Sequence, residues 1–387
     1  MKILIALTYY RPHTSGLTIF AERLAKALVH RGHQVTILTS QYDKSLPEEE
    51  NVDGARVVRV PVLFRISKGV IMPTFGYLAT RLVRENDVIH LHLPQFDAAG
   101  LALRGRLFKK PTVITYHCDL LMPKGLFNWA ANQAIHLMNN LAGIFTHRIV
   151  AYTQDYAEHS PYLCRFKSKL EVIIPPVVLP EINQKEVADF KDKYNPSDDH
   201  PVIGMAARFA SEKGVEVLLS AAKKIIQKFP KARIWFAGPY QNIMGEEQYF
   251  QRLHPMIEDL EKNSHWQFLG LLSPREMVAF YRNLDVLVLP SLNSTESFGL
   301  VQIEAMMCGV PSITTDLPGV RQPVYRHNMG RVIPIGDVDA LAETAIDLLL
   351  EKKANHANGK KLKDIYSPDL VAEQYEELFD RIKKEIK

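Results

Sequence analysis

The feature that most constrains the fold is an alternation along the whole chain. Short apolar runs rich in β-branched residues alternate with longer stretches of helical spacing. The apolar runs lack polar alternation, which is typical of parallel strands buried between two helix layers. Because the alternation occurs in both halves, it predicts two doubly wound α/β domains. The expected strands are residues 3–7, 35–39, 57–60, 88–91, 113–116, 149–152 and 172–174, then 202–207, 234–237, 266–269, 286–289, 311–315 and 332–333.

A proline-rich segment marks the boundary between the two halves. Residues 173–180 read IIPPVVLP, and three prolines in eight residues exclude a helix there. Residues 369–387 have the pattern of a long amphipathic helix. A chain of 387 residues is long enough for two domains. We expect a first domain of residues 1–178 and a second of residues 179–368.

Composition and motifs argue against several classes of protein. No run of about 18 apolar residues occurs, so a membrane-spanning helix is not expected. The first apolar run is too short for a signal peptide, and three cysteines without a Cys-x-x-Cys pair predict a reducing, cytoplasmic compartment. The dinucleotide fingerprint, the Walker phosphate loop and the Gly-x-Ser-x-Gly elbow are missing from the sequence. Metal-ligand spacings are missing too, so we expect no bound metal.

Charge is distributed unevenly between the two halves. Through Glu171 the chain has 21 Lys and Arg against 13 Asp and Glu, a net charge of +8. The remainder has 26 against 30, a net charge of −4. This polarity favours an anionic partner for the first half. No long basic run or nucleic-acid motif accompanies it, so we expect no nucleic-acid partner.

Polar residues follow several of the predicted strands, at the edge where open α/β sheets bind ligands. After the first strand of the first half, Gly16 opens a helix whose free N–H groups would attract an anion. After the first strand of the second half, Arg208 and Lys213 lie on one short loop, and two cations there suit a diphosphate. The alternatives are a plain turn at Gly16 and solvated charges on the loop.

The most informative segment is residues 290–311, which read PSLNSTESFGLVQIEAMMCGVP. A polar loop carries Glu296, Gly299 opens a helix, and Glu304 falls near its second turn. A carboxylate at Glu304 would suit hydrogen bonds to ribose hydroxyls, while the backbone N–H groups of the helix start would face phosphate. The alternative is that Glu304 merely complements the helix dipole.

Two elements of the second half resemble the motifs of the retaining glycosyltransferases of family 4. The resemblance spans nearly the whole chain and implies the GT-B fold, an α/β architecture of two facing Rossmann-like domains with parallel sheets and an interdomain cleft. It also implies that the helix of residues 369–387 returns to the first domain. The matching residues are Glu296 and Glu304 for the family's Glu-x7-Glu pair, and Arg208, Lys213 and Gly214 for its Arg-x4-Lys-Gly element.

The resemblance assigns a role to each matching residue. Arg208 and Lys213 would neutralise the nucleotide diphosphate, and Glu304 would hold the ribose. His117 corresponds to the family histidine that faces the reacting sugar. Many members have Gly-Gly where this chain has Ser15-Gly16, so Ser15 would either add a hydroxyl contact or slightly narrow the approach of the phosphate. The implied catalytic residues are His117, Arg208, Lys213 and Glu296. The implied donor-binding residues are Gly16, Arg208, Lys213, Glu296, Ser297, Phe298, Gly299, Leu300 and Glu304.

The reaction implied by the resemblance is metal-independent transfer of a hexosyl group, with retention, from a UDP- or GDP-linked sugar to an acceptor hydroxyl. In the first domain, cations mixed with bulky apolar residues suit an anionic lipid headgroup, although ordinary core and solvated cations are the alternative. The candidate acceptor residues are Arg59, Arg65, Lys68 and Asp119.

We therefore expect a lipid-linked or cell-envelope acceptor. The chain would be cytoplasmic and peripheral on the inner face of the cell membrane, and an anionic membrane surface would be a partner. The alternative functions are transfer to a soluble acceptor, epimerisation of a nucleotide sugar by an enzyme of similar fold, and non-enzymatic binding of a sugar nucleotide.

Overall fold

The structure, a computed structural model, describes residues 1–66, 69–120, 126–351 and 359–386. It divides into two compact units, a first unit of Met1–Pro176 with Tyr366–Lys387 and a second unit of Val177–Ile365. Each unit is built on a largely parallel sheet with helices. The predicted α/β class is therefore confirmed.

The helices and strands alternate along the chain in both units. The first unit contains β1 (Lys2–Ala6), α1 (Gly16–His30), β2 (Gln34–Gln41), β3 (Glu49–Val52), β4 (Ala55–Pro61), β5 (Phe64–Ile66), β6 (Gly69–Ile71), α2 (Phe75–Glu85), β7 (Val88–Leu93), α3 (Ala98–Leu107), β8 (Thr112–Tyr116), α4 (Leu126–Phe145), β9 (Arg148–Ala151), α5 (Gln154–His159) and β10 (Leu170–Val172). The second unit contains α6 (Gln184–Tyr194), β11 (Val202–Ala206), α7 (Val215–Lys228), β12 (Arg233–Ala237), α8 (Glu247–Lys262), β13 (Trp266–Gly270), α9 (Pro274–Arg282), β14 (Val286–Leu289), α10 (Leu300–Met307), β15 (Ser312–Thr315), α11 (Gln322–His327), β16 (Gly330–Ile333), α12 (Val338–Leu350) and α13 (Gly359–Ile365). The chain then returns to the first unit as α14 (Pro368–Glu385).

In the first unit, β1 lies inside an eight-stranded sheet of order β10-β9-β8-β7-β1-β2-β4-β3. Every pairing is parallel except that of β3 with β4. Since crossovers between parallel strands are right-handed, steps in opposite directions along the sheet place their helices on opposite faces. Helix α1 packs with α14 on one face, whereas α2 packs with α3, and α3 with α4, on the other.

An edge hairpin formed by β3 and β4 departs from the all-parallel expectation. Asp53 and Gly54 at its tip have φ angles of 51° and 85°, the positive values that a tight two-residue hairpin turn requires. The polar residues of β3 gave no apolar signal, so this strand was not predicted. A second antiparallel pair, β5 with β6, also escaped prediction because each strand has only three residues.

In the second unit, six parallel strands have the order β13-β12-β11-β14-β15-β16. The chain runs outward from β11 through β12 to β13 and then crosses to the other side of β11 to form β14. The strand order reverses between β11 and β14, and open α/β sheets bind ligands beyond the carboxyl ends of the strands at such a point. The topology therefore places the expected ligand site at the loops after β11 and β14.

Inner strands of both sheets are buried on both faces, as the apolar runs predict. Every residue of β7, β8, β11 and β14 is buried. His90 and His92 in β7 depart from this apolar pattern, because both are polar residues whose imidazoles are wholly buried. Among the helices of the described residues, none combines the length and apolarity needed to cross a membrane.

Candidate functional site

The loop after β11 lies directly against the chain leaving β14. Gly214 in this loop has a φ of +69°, and a Cβ atom there would be 2.1 Å from the carbonyl oxygen of Pro290. Only glycine fits such a backbone at that distance. Close by, the N–H of Leu292 donates to the carbonyl of Glu212 at 2.9 Å. The two loops that the sequence singled out therefore form one site at the reversal point of the sheet.

An ion pair joins the two loops. The Nζ of Lys213 donates to Oε2 of Glu296 at 2.7 Å, and the two side chains are only 17% and 20% exposed. The other oxygen, Oε1, accepts the N–H of Gly299 at 3.1 Å. Burial by itself would lower the pKa of Lys213, but the charge and hydrogen bond of Glu296 raise it above its ordinary value. Lys213 is therefore a fixed positive charge at neutral pH.

The second cation of the site is Arg208, whose Nη2 donates to the carboxylate of Glu212. Its side chain is 37% exposed, so it is the more accessible of the two cations. The positive charge of Arg208 lies close enough to Lys213 to lower the pKa of its ammonium, although the net shift of that pKa is upward. Sequence reasoning missed Glu212, although its spacing of four residues from Arg208 was a readable signal. Two cations and two carboxylates thus gather at one sheet edge.

A buried glutamine fixes the start of α10. Gly299 has a φ of +80°, and the neighbouring Gln302 is wholly buried. The Nε2 of Gln302 donates to the carbonyls of Phe298 at 3.2 Å and Val320 at 2.9 Å, and its Oε1 accepts from the hydroxyl of Ser312 at 3.2 Å. A fully satisfied buried amide holds one loop conformation. Gln302 was missed because its spacing resembles that of an ordinary helix residue.

Glu304 is the second carboxylate of the Glu-x7-Glu pair and lies in α10 with 9% of its surface exposed. The hydroxyl of the wholly buried Tyr281 donates to its Oε2 at 2.8 Å. Charge complementation of a helix dipole needs no such burial, so this arrangement favours the binding role. Ser297 and Phe298 between the two carboxylates are also buried.

The histidine predicted from the first half, His117, follows β8 and is 7% exposed. Its Nε2 lies 2.8 Å from Nδ1 of His92, and its Nδ1 contacts the hydroxyl of Tyr152. The ring of Phe20 stands edge-on to it, with centroids 5.1 Å apart. Burial, followed by the neighbouring His92, lowers the pKa of His117 well below its ordinary value.

The hydrogen bond between the imidazoles assigns their protons. Among the described residues, Nε2 of His92 is buried and has no hydrogen-bond partner. An orphaned buried N–H group is rarer than an unsatisfied acceptor, so the proton of His92 belongs on Nδ1, where it is donated to His117. The neutral His117 then carries its own proton on Nδ1, toward Tyr152. Sequence reasoning did not find His92 or Tyr152 as partners of His117.

These buried imidazoles predict an acid-sensitive first unit. Burial lowers the pKa of His92 to about 3 and those of His90 and His117 well below the ordinary value. Below pH 6.5 the unfolded state takes up protons that the folded state does not, so the free energy of unfolding falls as pH falls. The slope approaches about 1.4 kcal/mol per pH unit for each imidazole. His92→Asn should reduce the slope by that amount in urea titrations between pH 6 and 4.5.

The matched control for this measurement is His30→Asn, since the side chain of His30 is 82% exposed. It should leave the dependence of unfolding on pH as in the wild type. An unchanged slope in His92→Asn would show that this imidazole is not held neutral in the fold.

The candidate acceptor residues of the first unit differ in burial and in hydrogen bonding. Arg59 is 1% exposed, and its guanidinium donates to the carbonyls of Pro47 and Arg11, each at 3.0 Å, and to the carboxylate of Glu50. Arg65 is exposed on β5, and Lys68 lies outside the described residues. Of the two described cations, Arg59 and Arg65, it is thus Arg65 that is open to solvent.

Asp119 is also largely buried, with 8% of its surface exposed. Its Oδ1 accepts from the hydroxyls of Tyr116 at 2.9 Å and Ser160 at 2.7 Å. Its Oδ2 is buried without a hydrogen-bond partner among the described residues. These contacts give Asp119 a structural task beside any role in binding.

At the start of α1, Ser15 caps the helix, because its hydroxyl oxygen accepts the N–H of Thr18 at 3.2 Å. A Cβ atom on Gly16 would meet nothing within 4 Å. The first sheet reverses between β1 and β7, so this loop and the one after β7 share an edge. In the latter, sequence reasoning missed Gln95, which is 3% exposed, and Asp97, whose pKa burial raises to about 6.

Two family models match this chain, and together they cover most of its length. Residues 186–364 match the model described as Glycosyl transferases group 1. Residues 14–179 match the model described as Glycosyltransferase Family 4. The reversal-point loops of the second unit lie within the first of these matches.

Full-length similarities extend to individual proteins. The chain is 24% identical to the phosphatidyl-myo-inositol mannosyltransferase of Mycolicibacterium smegmatis, over 90% of this chain and 85% of that protein. It is 23% identical to the N-acetyl-alpha-D-glucosaminyl L-malate synthase of Bacillus anthracis, over 98% and 97%. The solved structure of HepE from Anabaena with UDP-glucose is similar with a TM-score of 0.78 and 19% identity, over 98% and 100%.

Proposed function

We propose that this chain, which belongs to the family 4 type of glycosyltransferase and has the GT-B fold, transfers a sugar from a UDP- or GDP-linked donor to an acceptor hydroxyl with retention. The observation that carries the proposal is the reversal point of the second unit. There, the ion pair of Lys213 and Glu296, the exposed Arg208 and the start of α10 occupy one sheet edge. Fixed cations beside a helix start suit a nucleoside diphosphate.

The diphosphate of the donor would bind to the two cations alongside the carboxylates that position them. Arg208 pairs with Glu212, and Lys213 pairs with Glu296, so both side chains are held in position before any ligand arrives. A guanidinium fork and an ammonium point charge can then neutralise the phosphate charge that grows as the sugar departs. HepE, whose solved structure contains UDP-glucose, supports a nucleotide-sugar ligand.

The ribose and the donor sugar would be bound on either side of the diphosphate. Glu304, which already accepts from Tyr281, would accept hydrogen bonds from the ribose hydroxyls. Glu296, whose orientation the N–H of Gly299 fixes, would bind the sugar together with the backbone of residues 297–300. Each carboxylate is thus oriented by preset hydrogen bonds, and the roughly four lone-pair sites of a carboxylate leave acceptor capacity for a hydroxyl.

The reaction would be a front-face displacement. The bond between the anomeric carbon and the phosphate oxygen breaks, the acceptor oxygen bonds to the same face of that carbon, and the acceptor proton passes to the leaving phosphate. Glu296 is committed to Lys213 and Gly299, so it is poorly suited to act as the nucleophile of a double displacement. Because the cations offset the phosphate charge, we expect no metal cofactor.

Within the first unit, His117 would contribute as a neutral group. Both of its ring nitrogens are engaged, one with His92 and one with Tyr152. Its lowered pKa keeps the imidazole uncharged at neutral pH. Because both nitrogens are engaged, the imidazole would act by its fixed position, as a neutral wall beside the reacting sugar that adds no second positive charge near an oxocarbenium-like centre.

The acceptor we propose is lipid-linked or part of the cell envelope. The relative from Mycolicibacterium smegmatis is named as a phosphatidyl-myo-inositol mannosyltransferase, and the first half of this chain carries the basic excess. A soluble acceptor is the second candidate, because the relative from Bacillus anthracis is named as an N-acetyl-alpha-D-glucosaminyl L-malate synthase. Epimerisation has no comparable support among these similarities.

Replacing Glu304 with glutamine should weaken nucleotide binding. The change keeps the shape but removes the charge, so each hydrogen bond from a ribose hydroxyl weakens by about 1–1.5 kcal/mol and two such bonds by about 2–3 kcal/mol. Isothermal titration with UDP or GDP, whichever the wild type binds, should show Kd raised by roughly 30- to 150-fold. Glu343→Gln, at an exposed position on α12 of the same unit, should leave Kd unchanged. Equal affinities of wild type and Glu304→Gln would remove Glu304 from the ribose site.

A further inference from the structure

Helices α2, α3 and α4 cover one face of the sheet in the first unit. The three helices lie side by side in one layer. The sides that point away from the sheet therefore form one surface of the unit. Helix α4 is 20 residues long and contains no Asp, Glu, Lys or Arg. The adjacent α3 contains no acidic residue in its ten-residue span. A surface layer so poor in acidic residues is unusual for a helix in contact with water.

Large apolar side chains are exposed on this layer. Leu103 and Leu107, one helical turn apart on α3, are 39% and 69% exposed. Leu137 and Ile144, two turns apart on α4, are 56% and 52% exposed. Residues four or seven positions apart lie on the same side of a helix, and α3 packs against α4. We call these four residues the apolar ridge.

Basic side chains flank the apolar ridge. Arg106 and Lys109 are exposed at the end of α3, and Arg165 and Lys167 are exposed near the end of α4. Arg165 donates to Oδ1 of Asn140 on α4 at 3.1 Å, which places it beside the ridge. Within the described part of the chain, none of these four cations has a salt bridge to a carboxylate. Their positive charge is therefore not offset by a direct ion pair.

The opposite face of the same sheet gives a direct comparison. Helix α14 carries both signs of charge, and two of its carboxylates pair with arginines of the same unit. Glu376 binds Arg31 at 2.7 Å, and Glu385 binds Arg148 at 2.7 Å. Exposed apolar groups on α14 are isolated, such as Leu370 at 39%. The face covered by α14 thus has the mixed charges of a water-facing layer. The face covered by α2, α3 and α4 has the exposed apolar groups expected of a binding surface.

We infer that the apolar ridge docks on a bilayer surface rich in anionic lipids. The leucines would enter the boundary between headgroups and acyl chains, and the four flanking cations would contact the headgroups. A second copy of this chain is a poor occupant, because two such faces would bring positive charges together. The inference rests on the proposed lipid-linked acceptor, which would be a component of the same membrane.

Sedimentation with vesicles tests the docking without any sugar donor. The full chain is mixed with vesicles of phosphatidylglycerol and phosphatidylcholine, or of phosphatidylcholine alone. We expect the wild type to sediment with the anionic vesicles and to dissociate at high salt. Leu107→Glu combined with Leu137→Glu should lower partitioning at least tenfold, since each leucine loses its burial in the bilayer. Arg106→Glu combined with Lys109→Glu should also lower it at least tenfold, by reversing charge at the headgroups.

Leu370→Glu, on the opposite face, is the matched control and should bind like the wild type. Circular dichroism melting of each variant checks folding, and the charge-reversal variant keeps the test valid if the leucine variant unfolds. Equal sedimentation of wild type and both ridge variants would overturn the inference. A second contradicting result would be a wild type that binds no vesicles but self-associates, with the ridge substitutions abolishing that self-association. The ridge would then be a subunit interface. Binding of UDP or GDP, measured separately, distinguishes this failure from failure of the proposed transferase function.

Discussion

Replacing Arg208 and Lys213 together with alanine is expected to reduce kcat/KM for sugar transfer by about 10⁴-fold or more. Removing one preorganised group that stabilises developing charge typically costs 10²- to 10³-fold. Here both cations would serve one leaving diphosphate, and the loss of Lys213 also leaves the carboxylate of Glu296 without its partner at 2.7 Å. The measurement is the steady-state rate of nucleotide release in the presence of acceptor, with circular dichroism to verify folding.

The control for this double variant removes the same charge from the same unit. Lys224 pairs with Asp339, and Arg331 pairs with Glu351, and both cations are 49% exposed at the surface. Exposed pairs of this kind contribute about 0–1 kcal/mol each. The double alanine variant of Lys224 and Arg331 should therefore keep full activity. Full activity in the Arg208 and Lys213 variant would contradict the assignment of the diphosphate site.

Replacing Gly214 with alanine should damage both stability and activity. The residue has a φ of +69°, and the new Cβ would lie 2.1 Å from the carbonyl oxygen of Pro290. The left-handed backbone costs about 1–2 kcal/mol for an alanine, and relieving the clash requires the two loops to separate. We expect the free energy of unfolding to fall by about 2 kcal/mol or more. A displacement of Lys213 by about 1 Å should lower kcat/KM roughly 100-fold.

Gly32→Ala separates backbone strain from the clash. Gly32 has a φ of +86°, and a Cβ there would meet nothing within 4 Å. This variant should lose only about 1–2 kcal/mol of stability and no activity. Urea unfolding and steady-state rates of both variants give the comparison. If Gly214→Ala is as active as Gly32→Ala, the close approach of the two loops is not needed for function.

Much of the fold is predictable because buried parallel strands are short, apolar and separated by helical patterns. The fully buried β8 and β14 illustrate this. The polar β3 was missed because its pairing depends on the turn at Asp53 and Gly54. The apolar pattern of a segment cannot reveal a strand whose stability comes from pairing with its neighbour.

The candidate donor site was predictable in its residues but not in its connections. Arg208, Lys213, Glu296 and Glu304 follow strands or open a helix, and that signal is local. The contact of Gly214 with Pro290 depends on the order of strands in the sheet, which sequence spacing does not encode. The same holds for the hydrogen bond between His92 and His117, which joins neighbouring strands 25 residues apart in the chain.

The first-unit acceptor candidates show how composition can mislead. Arg59 lies in a basic, apolar segment typical of a surface that binds anions, yet its guanidinium is buried and donates to two carbonyls and to Glu50. Exposure could not be inferred from residue type, because burial of an arginine depends on the acceptors that the fold brings to it. The apolar ridge was overlooked for the same reason, since exposed leucines look like core in a sequence.

The most direct test of the proposed transfer is nucleotide release from a panel of UDP-, GDP- and ADP-linked sugars, with and without lipid-linked and soluble acceptors. We predict that one UDP- or GDP-linked donor releases its nucleoside diphosphate only when an acceptor is present. The product should keep the anomeric configuration of the donor, as read by NMR coupling constants, and the Arg208 and Lys213 double alanine variant should release none. No acceptor-dependent release from any donor, or an epimer formed from donor alone, would contradict the proposed function.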